Sequence, residues 1–288
     1  MYTYEELSEK IKMPDDACRE IYEYLDFFKN DEEFKSIKEI FYTGEDVEGL
    51  LFELAKKKGK RPLLTVLAFC YFCADRMYEI FTDKGFGDKV YIDSFTDVRV
   101  WALTCKNNYG EWGMKEFCWL QKTLRGELYR LGRLQFEFFP FPYEHYENHG
   151  VVINKGDTVI NTHIPEDGGF PRAERLESYR QAYEKLGRLP FVCESYLLYP
   201  AQYEFLNPDS NIVDFMNEYE IIHCEENDKM NDMWRIFGVR ESYEASTLPR
   251  NTSLRRAYAD HIEKTGKNGW GFGVLIFDGE KILTRKCL

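Results

Sequence analysis

The chain has 288 residues, with 38 basic and 50 acidic side chains and a formal net charge of -12. This acidic balance argues against non-specific binding to nucleic acid or to an anionic membrane. Hydrophobic residues make up 44% of the chain, which is enough to bury a core and excludes a disordered protein.

The first residues, MYTYEELSEK, lack a basic start followed by an apolar run, so they do not predict a secretory signal. The most apolar segment, PLLTVLAFCYFCADRMYEIF, is interrupted by Asp75 and Arg76 and is too short to span a bilayer. We therefore expect a soluble, cytoplasmic protein with reduced cysteines. Cys70 and Cys73 form a CxxC inside this apolar segment and are predicted to pack in the core, with metal or redox chemistry as the alternative.

Residues 1–122 are predicted to form a helical domain. Its first helix carries a capping box at Thr3 and Glu6, and DDACREIYEYLDFFKN places an apolar face at helical spacing. The apolar segment is expected to be one buried helix. The segments FTDVRVWALTCKNNYG and EWGMKEFCWLQKTLRGELYRL predict two more helices. No cluster of side chains in this half indicates catalysis.

Residues 123–288 are predicted to form a mixed α/β domain. GRLQFEFFPFPY reads as a strand that ends in a loop, and HGVVINKGDTVINTHIP as two strands joined by a turn. A helix is predicted at Pro171–Leu186, a strand at Phe191–Tyr199 and a short helix in AQYEFL. YEIIHCEEN and MWRIFGV are expected to form a hairpin, before a capped helix in TSLRRAYADHIEKTG and a last strand in GWGFGVLIFDG.

This order of elements resembles that of the GNAT superfamily of N-acyltransferases. Several sequence segments further resemble those of a bacterial acyltransferase-like family with a helical N-terminal domain and a GNAT-like C-terminal domain. They are LRGELYRLGRLQFE, HIPEDGGF, CESYLLYP, DSNIVDF and LPRNTSLRRAY. The resemblance implies an α+β or α/β fold in which the helical domain packs on a mixed β-sheet with flanking helices. It also implies an acyl-CoA substrate, acetyl-CoA or another, and no metal.

In that superfamily the pantetheine arm of acyl-CoA lies where two parallel strands separate. The resemblance assigns this role to Asp157–His163 and Phe191–Tyr199, with Asn161 and Thr162 contacting the substrate.

The pyrophosphate is expected on backbone amides of the following loop, at Gly168, Gly169 and Phe170. Such amides and a helix N-terminus bind anions without a basic side chain. The usual loop of the superfamily, a basic residue or Gln followed by x-x-Gly-x-Gly/Ala, is absent. Glu166 and Asp167 would repel phosphate unless they point away.

His163 ends a strand directly before this loop and is the first candidate for a general base, because its ordinary pKa suits removal of a proton from an amine. A structural histidine is the alternative. Glu166 is a second candidate base, or a helix cap. Tyr199 and Tyr203 follow the second strand, where the superfamily commonly places an acid; packing is the alternative for both.

Other candidates are weaker. Cys193 and Ser195 alternate on one strand and would serve a hydrolase, but no G-x-S-x-G elbow is present. His145 and His149 stand four apart in EHYENHG, a spacing that binds zinc on a helix, yet this segment is predicted to be an exposed loop. Three basic residues flank a helix start and could meet a CoA phosphate or only solvent. They are Arg250, Arg255 and Arg256.

The sequence thus predicts an acyl-CoA-dependent N-acyltransferase that acts by direct transfer to a small-molecule amine. The alternative is a binding or sensor module that has the fold without the chemistry. The acceptor and the oligomeric state are not indicated by the sequence.

Overall fold

The computed structural model describes residues 1–227, 233–238 and 244–286. Chain contacts divide the protein into two units. The first comprises Met1–Leu131 with Pro165–Asp167, and the second comprises Gly132–Ile164 with Gly168–Leu288. Among the described residues, no helix combines the length and apolar character that crossing a bilayer requires. The domain boundary at residue 122 remains a prediction.

The first unit is helical, as the sequence predicts, and ends in a short strand. Its elements are α1 (Tyr4–Ile11), α2 (Asp15–Phe28), α3 (Glu32–Phe41), α4 (Glu48–Lys57), α5 (Pro62–Phe72), α6 (Ala74–Asp83), α7 (Asp88–Tyr109), α8 (Phe117–Leu124) and β1 (Leu128–Leu131). The capping box of α1 is confirmed. The Glu6 amide donates to Thr3 Oγ1 at 3.2 Å, and the Thr3 amide donates to Glu6 Oε2 at 2.8 Å.

The apolar segment is not one helix but two, α5 and α6, which meet at Cys73. Side chains from α3 and its C-cap bind the carbonyls at this junction: Lys38 Nζ donates to Phe72 O at 2.8 Å, and Tyr42 Oη donates to Cys73 O at 3.2 Å. These partners lie far away in sequence, so apolar periodicity cannot reveal the break. Cys70 and Cys73 are fully buried, which confirms core packing.

The prediction of one helix in EWGMKEFCWLQKTLRGELYRL is also wrong, because α8 ends at Leu124 and β1 follows. Gly126 lies between them with φ +66°, a left-handed conformation that favours glycine. The helix ends there, and the chain continues as strand β1.

In the second unit, five strands of the described residues form a mixed sheet in the order β2-β5-β6-β8-β7. The strands of this unit are β2 (Leu134–Pro140), β3 (His145–Asn148), β4 (Val151–Asn154), β5 (Thr158–His163), β6 (Phe191–Ser195), β7 (Glu220–Asn227) and β8 (Asn268–Leu275). β5 and β6 run parallel, whereas the other neighbouring pairs run antiparallel. The mixed α/β architecture is confirmed.

The helices of this unit lie between strands or after them. They are α9 (Arg172–Lys185), α10 (Gln202–Phe205), α11 (Asn211–Met216), α12 (Met233–Phe237) and α13 (Ser253–Thr265), with 3₁₀ turns at Tyr196–Leu198 and Ala245–Thr247. The predicted cap of α13 is confirmed, since Thr252 Oγ1 accepts from the Arg255 amide at 3.1 Å.

Three predictions in this unit are wrong. EHYENHG is not a loop, because His145–Asn148 is strand β3, paired with β4. MWRIFGV does not pair with β7, because Met233–Phe237 is helix α12 and β7 pairs with β8. Met233, Ile236 and Phe237 are buried at helical spacing, but a segment of five residues is too short for this spacing to distinguish a helix from a strand. The predicted strand at Phe191–Tyr199 ends at Ser195, where the 3₁₀ turn begins.

The two faces of the sheet are covered differently. On one face, α9 packs against the strands, with the Tyr179 ring centroid 5.3 Å from that of Phe191 and 6.2 Å from that of Phe136. On the opposite face, the β3–β4 hairpin contributes Tyr146 and Ile153 to a core cluster. This cluster ends at Val159 in β5, so the last residues of β5 on that face, Asn161 and His163, lie beyond it.

Alternate glycines on β8 set the path of the chain after β6. A Cβ on Gly271 would overlap the carbonyl oxygen of Leu198, and one on Gly273 would lie 2.8 Å from Cβ of Tyr219. The 3₁₀ turn that follows β6 therefore lies directly on the β8 backbone, a distance that only glycine permits.

We expect Gly271→Ala to lower the free energy of unfolding by about 1–3 kcal/mol, the usual cost of overfilling a packed site. Gly49→Ala is the control, because a Cβ at Gly49 in α4 meets nothing within 4 Å. The control should leave stability unchanged or raise it slightly. Denaturant titration of both variants checks this, and equal stability of the two would contradict the close approach.

Candidate functional site

The sheet opens between β5 and β6. These parallel strands pair only at Ile160 with Phe191 and at Asn161 with Val192. Beyond these residues β5 still pairs with β2 as far as His163, and β6 still pairs with β8 as far as Ser195. Each strand is thus held by its outer neighbour while the inner pairing ends, which creates a wedge between them. The divergence of these two strands was predicted, although β6 is shorter than expected.

A polar cluster occupies one sheet face at the end of β5. His163 Nε2 lies 2.8 Å from Glu137 Oε1, and Asn161 Nδ2 lies 3.1 Å from the same carboxylate oxygen. Glu137 in β2 stands opposite Asn161 in the register, so it reaches His163 diagonally. The Glu137 side chain is only 8% exposed, which strengthens its interaction with the imidazole.

This geometry assigns the histidine tautomer. A carboxylate only accepts hydrogen bonds, so the 2.8 Å contact requires a proton on Nε2 of His163. The 3.1 Å contact between Asn161 Nδ2 and His163 Nε2 then joins two donors and is not a hydrogen bond. In the neutral ring, the lone pair is left on Nδ1, which becomes the basic nitrogen.

Asn161 presents a second polar atom. Its Nδ2 must face Glu137, because the opposite amide orientation would bring two acceptor oxygens together. Its Oδ1 is buried, and no partner reaches it among the residues that the structure describes. A buried acceptor of this kind is satisfied by a ligand or by water. Thr162, the other predicted substrate contact on β5, is buried on the face that α9 covers.

The loop after β5 contains the two predicted glycines, and only one needs to be glycine for conformational reasons. Gly168 has φ +77°, whereas Gly169 has no positive φ and a Cβ there would lie 3.5 Å from Pro171 Cδ. Two arginines bind the carbonyls that follow: Arg133 Nε donates to Gly169 O, and Arg175 Nη1 donates to Phe170 O at 2.6 Å.

Helix α9 begins directly after this loop. Its N-cap is Pro171, and no side chain in the described part of the chain caps the first turn. The first amides of a helix have no partner within the helix, and the helix dipole gives this end a partial positive charge. The end of the loop and the start of α9 thus form an environment that favours an anion.

The comparison with known families fits this geometry. Residues 3–126 match the family model of the N-acyltransferase N-terminal domain, and residues 128–275 match that of the GNAT-like C-terminal domain. The chain belongs to the N-acyltransferases with a GNAT-like C-terminal domain.

Solved structures share the fold. One is an acyltransferase mutant in complex with octanoyl-CoA, with a TM-score of 0.74 and 19% identity over 94% of this chain and 86% of that chain. Another is an acyltransferase in complex with decanoyl-CoA and teicoplanin, with a TM-score of 0.72 and 19% identity over 95% of this chain and 88% of that chain. At 19% sequence identity, the similarity to these structures shows a shared fold and nothing more. No curated protein matches the chain significantly.

The acidic pair in the loop of this acyltransferase has two different environments. Asp167 pairs with Arg130, with its Oδ1 3.0 Å from Nη2, and lies 3.6 Å from Arg99 Nη2. These contacts all belong to the first unit. Glu166 is exposed. The charge of Asp167 is therefore compensated by guanidinium groups of its own unit.

Tyr199 of the acyltransferase donates from its hydroxyl to Glu226 Oε2, and Glu226 also pairs with Lys267. Burial and this hydrogen bond raise the pKa of Tyr199 above its ordinary value. The hydroxyl holds its proton firmly, so a role as an acid would require it to leave Glu226. Tyr203 instead donates to Asn217 Oδ1 at 3.1 Å.

The two candidate nucleophiles of the hydrolase alternative are not activated. Cys193 is fully buried, and burial raises the pKa of its thiol. Ser195 Oγ accepts a hydrogen bond from the Leu197 amide and caps the 3₁₀ turn. A nucleophilic thiol or hydroxyl needs a lowered pKa or an adjacent base.

The remaining sequence candidates have structural partners. His145 Nδ1 contacts Asn154 Oδ1 at 3.0 Å across the β3–β4 hairpin, and His149 lies in its turn with φ 51°. Arg250 pairs with Asp260 and Glu263, and Arg255 donates to Ile236 O. Within the part of the chain that the structure describes, no cluster of His, Cys, Asp and Glu side chains could hold a metal ion.

From the sequence alone, Glu137, Arg133 and Arg175 were not assigned to the site. A signal for Glu137 exists in the alternation of β2, which places a carboxylate among aromatic residues in LQFEFF. No such signal exists for Arg175, because its partners lie about 40 residues away in α11 and beyond.

We expect Asp167→Asn to lower the free energy of unfolding by about 1–3 kcal/mol, because two partly buried guanidinium groups lose their carboxylate. Glu166→Gln is the matched control, since it removes the same charge from an exposed neighbour. Thermal and denaturant unfolding of both variants gives the comparison. Equal stability of the two would show that the contacts of Asp167 contribute nothing.

Proposed function

We propose that the protein transfers an acyl group from acyl-CoA directly to the amine of a small molecule. The observation that carries this proposal is the wedge between β5 and β6, with His163 and its Glu137 partner at one side. The family supports amine acylation, and structures with the same fold contain octanoyl-CoA, decanoyl-CoA and the glycopeptide teicoplanin.

The substrate would be held mainly by backbone groups. The pantetheine arm fits the wedge as an added strand, where Asn161 Oδ1 offers a buried acceptor to one of its amide N–H groups. The pyrophosphate fits the amides of Gly168–Phe170 and of the first turn of α9. This arrangement needs no basic side chain that faces the phosphates, which accounts for the absence of the usual loop sequence.

The chemical step needs one base. The amine nitrogen attacks the thioester carbonyl carbon, the C–N bond forms, the C–S bond breaks, and CoA leaves as a thiolate. Nδ1 of His163 takes the amine proton, while Glu137 holds Nε2–H and stabilises the imidazolium that forms. An ordinary thiol pKa near 8.5 makes the thiolate an acceptable leaving group near neutral pH. Protonation by Tyr199, and Glu166 as the base in place of His163, remain proposals from the sequence.

We expect His163→Gln to lower turnover by roughly 10²-fold or more, the usual contribution of a general base. Glu137→Gln should give a smaller loss, because the ring keeps its nitrogen but loses the charge that orients it. The Kd of acyl-CoA should change little in both. The assay follows thiol release from acetyl-, octanoyl- and decanoyl-CoA with a panel of amines.

His145→Gln is the control for this series, because His145 is exposed and lies in the β3–β4 hairpin. Unchanged turnover in His163→Gln would remove this residue from the mechanism and leave Glu166 as the candidate base. Binding of CoA by the wild type without any turnover would favour the alternative, a binding or sensor module.

The two loop glycines test where the pyrophosphate lies. Acyl-CoA at about 100 times its Kd should stabilise the wild type by about 2.7 kcal/mol, visible as a thermal shift. Gly168→Ala should reduce this shift, because alanine resists a φ of +77° and the amides would move. Gly169→Ala, where a Cβ makes ordinary contact, should retain it. A thermal shift as large as that of the wild type in both variants would exclude this loop as the phosphate site.

A further inference from the structure

Arg175 is a fully buried arginine one turn into α9, with a side chain that is 0% exposed. Its Nη2 lies 2.5 Å from Asp214 Oδ2 and 2.8 Å from Glu218 Oε1, and its Nη1 donates to Phe170 O at 2.6 Å. The guanidinium carbon also lies 4.7 Å from the ring centroid of Phe170. Phe170 is therefore held by Arg175 through both its backbone and its ring.

A second arginine completes this cluster from the C-terminal segment. Arg285 Nη2 donates to Asp214, and its Nη1 lies 3.9 Å from Glu218 Oε1. Thr284 Oγ1 fixes the same segment, because it donates to Glu218 O at 2.8 Å. Two guanidinium groups thus face two carboxylates, and the cluster is neutral overall.

The charges in this quartet are unequally solvated. Burial raises the pKa of Glu218 above its ordinary value, against the opposing effect of Arg175. Burial also opposes ionisation of Asp214, but hydrogen bonds from Arg285 and Arg175 hold the pKa of that carboxyl below its ordinary value. A buried ion cluster of this kind often stabilises the fold no more than apolar packing would. Its effect on the geometry of neighbouring groups therefore tells more about function than its effect on stability does.

That geometric effect falls on the loop before α9. Arg133 Nε binds the carbonyl of Gly169, and the peptide between Gly169 and Phe170 is trans. In a trans peptide the N–H points opposite to the C=O, so the amide of Phe170 is directed away from Arg133. Arg175 then fixes the next carbonyl. Two guanidinium groups therefore fix the carbonyls of Gly169 and Phe170, and with them the orientation of the loop.

We propose that Arg175 is a positioning residue for the pyrophosphate of acyl-CoA, and that Arg285 supports it from the C-terminal segment. Arg175 would act through Phe170 and would not touch the substrate. This inference rests on the proposed function. It adds that affinity for the nucleotide part of the donor depends on the Arg175, Asp214, Glu218 and Arg285 quartet.

The experiment compares two acyl donors, octanoyl-CoA and S-octanoyl-pantetheine, which has the same thioester but no pyrophosphate. Two test variants of the full chain are used: Arg175→Lys, which keeps the charge but loses the planar fork, and Arg285→Gln, which acts at the partly exposed edge of the quartet. A third variant, Arg285→Lys, returns a positive charge to that edge. Arg180→Lys is the control, since Arg180 pairs with Glu177 on the exposed surface of the same helix. Calorimetric binding of CoA accompanies the kinetics.

We expect both variants to raise the KM for octanoyl-CoA and the Kd of CoA by about tenfold, with kcat little changed. The kcat/KM for S-octanoyl-pantetheine should stay at the wild-type value, and Arg285→Lys should restore the affinity that Arg285→Gln loses. Losses of equal size with both donors would indicate a general structural defect and would overturn the inference, as would wild-type affinity in both variants. A wild type that binds no CoA would overturn the proposed function as well.

Discussion

The divergence of β5 and β6 is the constraint on which the candidate site depends. Parallel strands in a sheet normally continue their pairing, and these two stop after Asn161 and Val192. What keeps the wedge open is the outer pairing of each strand, β5 with β2 and β6 with β8. The glycines of β8 let the turn that follows β6 lie directly on the β8 backbone.

Three charged side chains of the second unit contact groups of the candidate site. Glu137 contacts His163 from the neighbouring strand, and Arg133 and Arg175 bind the carbonyls of Gly169 and Phe170. In the proposed complex, the substrate meets backbone amides of the loop, Nδ1 of His163 and Oδ1 of Asn161.

Much of the fold could be predicted from the sequence because its signals are local. The N-caps of α1 and α13, the helix after Pro171 and the alternating strands all depend on neighbours within a few residues. Two of the errors arose where distant partners decide the outcome. Lys38 and Tyr42 bind the carbonyls at the break between α5 and α6, and β8 rather than the MWRIFGV segment pairs with β7.

The residues that make up the candidate site could be predicted to a similar extent. Order of elements and resemblance located His163 and the glycine loop, since both lie within one strand–loop–helix segment. Glu137 could not be assigned to His163 without the register of β2 and β5, which fixes a diagonal contact across 26 residues of sequence. Arg175 could not be assigned to the loop without α11 and the C-terminal segment. Tertiary pairing, which no local pattern encodes, supplies these partners.

The most direct measurement of the central claim is a crystal structure of the protein with bound octanoyl-CoA or a thioether analogue that cannot transfer its acyl group. We predict that the pantetheine arm lies between β5 and β6 beyond Asn161, with the carbonyl carbon on the sheet face of His163 and the pyrophosphate at the start of α9. A structure in which the ligand binds elsewhere, and β5 and β6 pair beyond Asn161 and Val192, would contradict this claim.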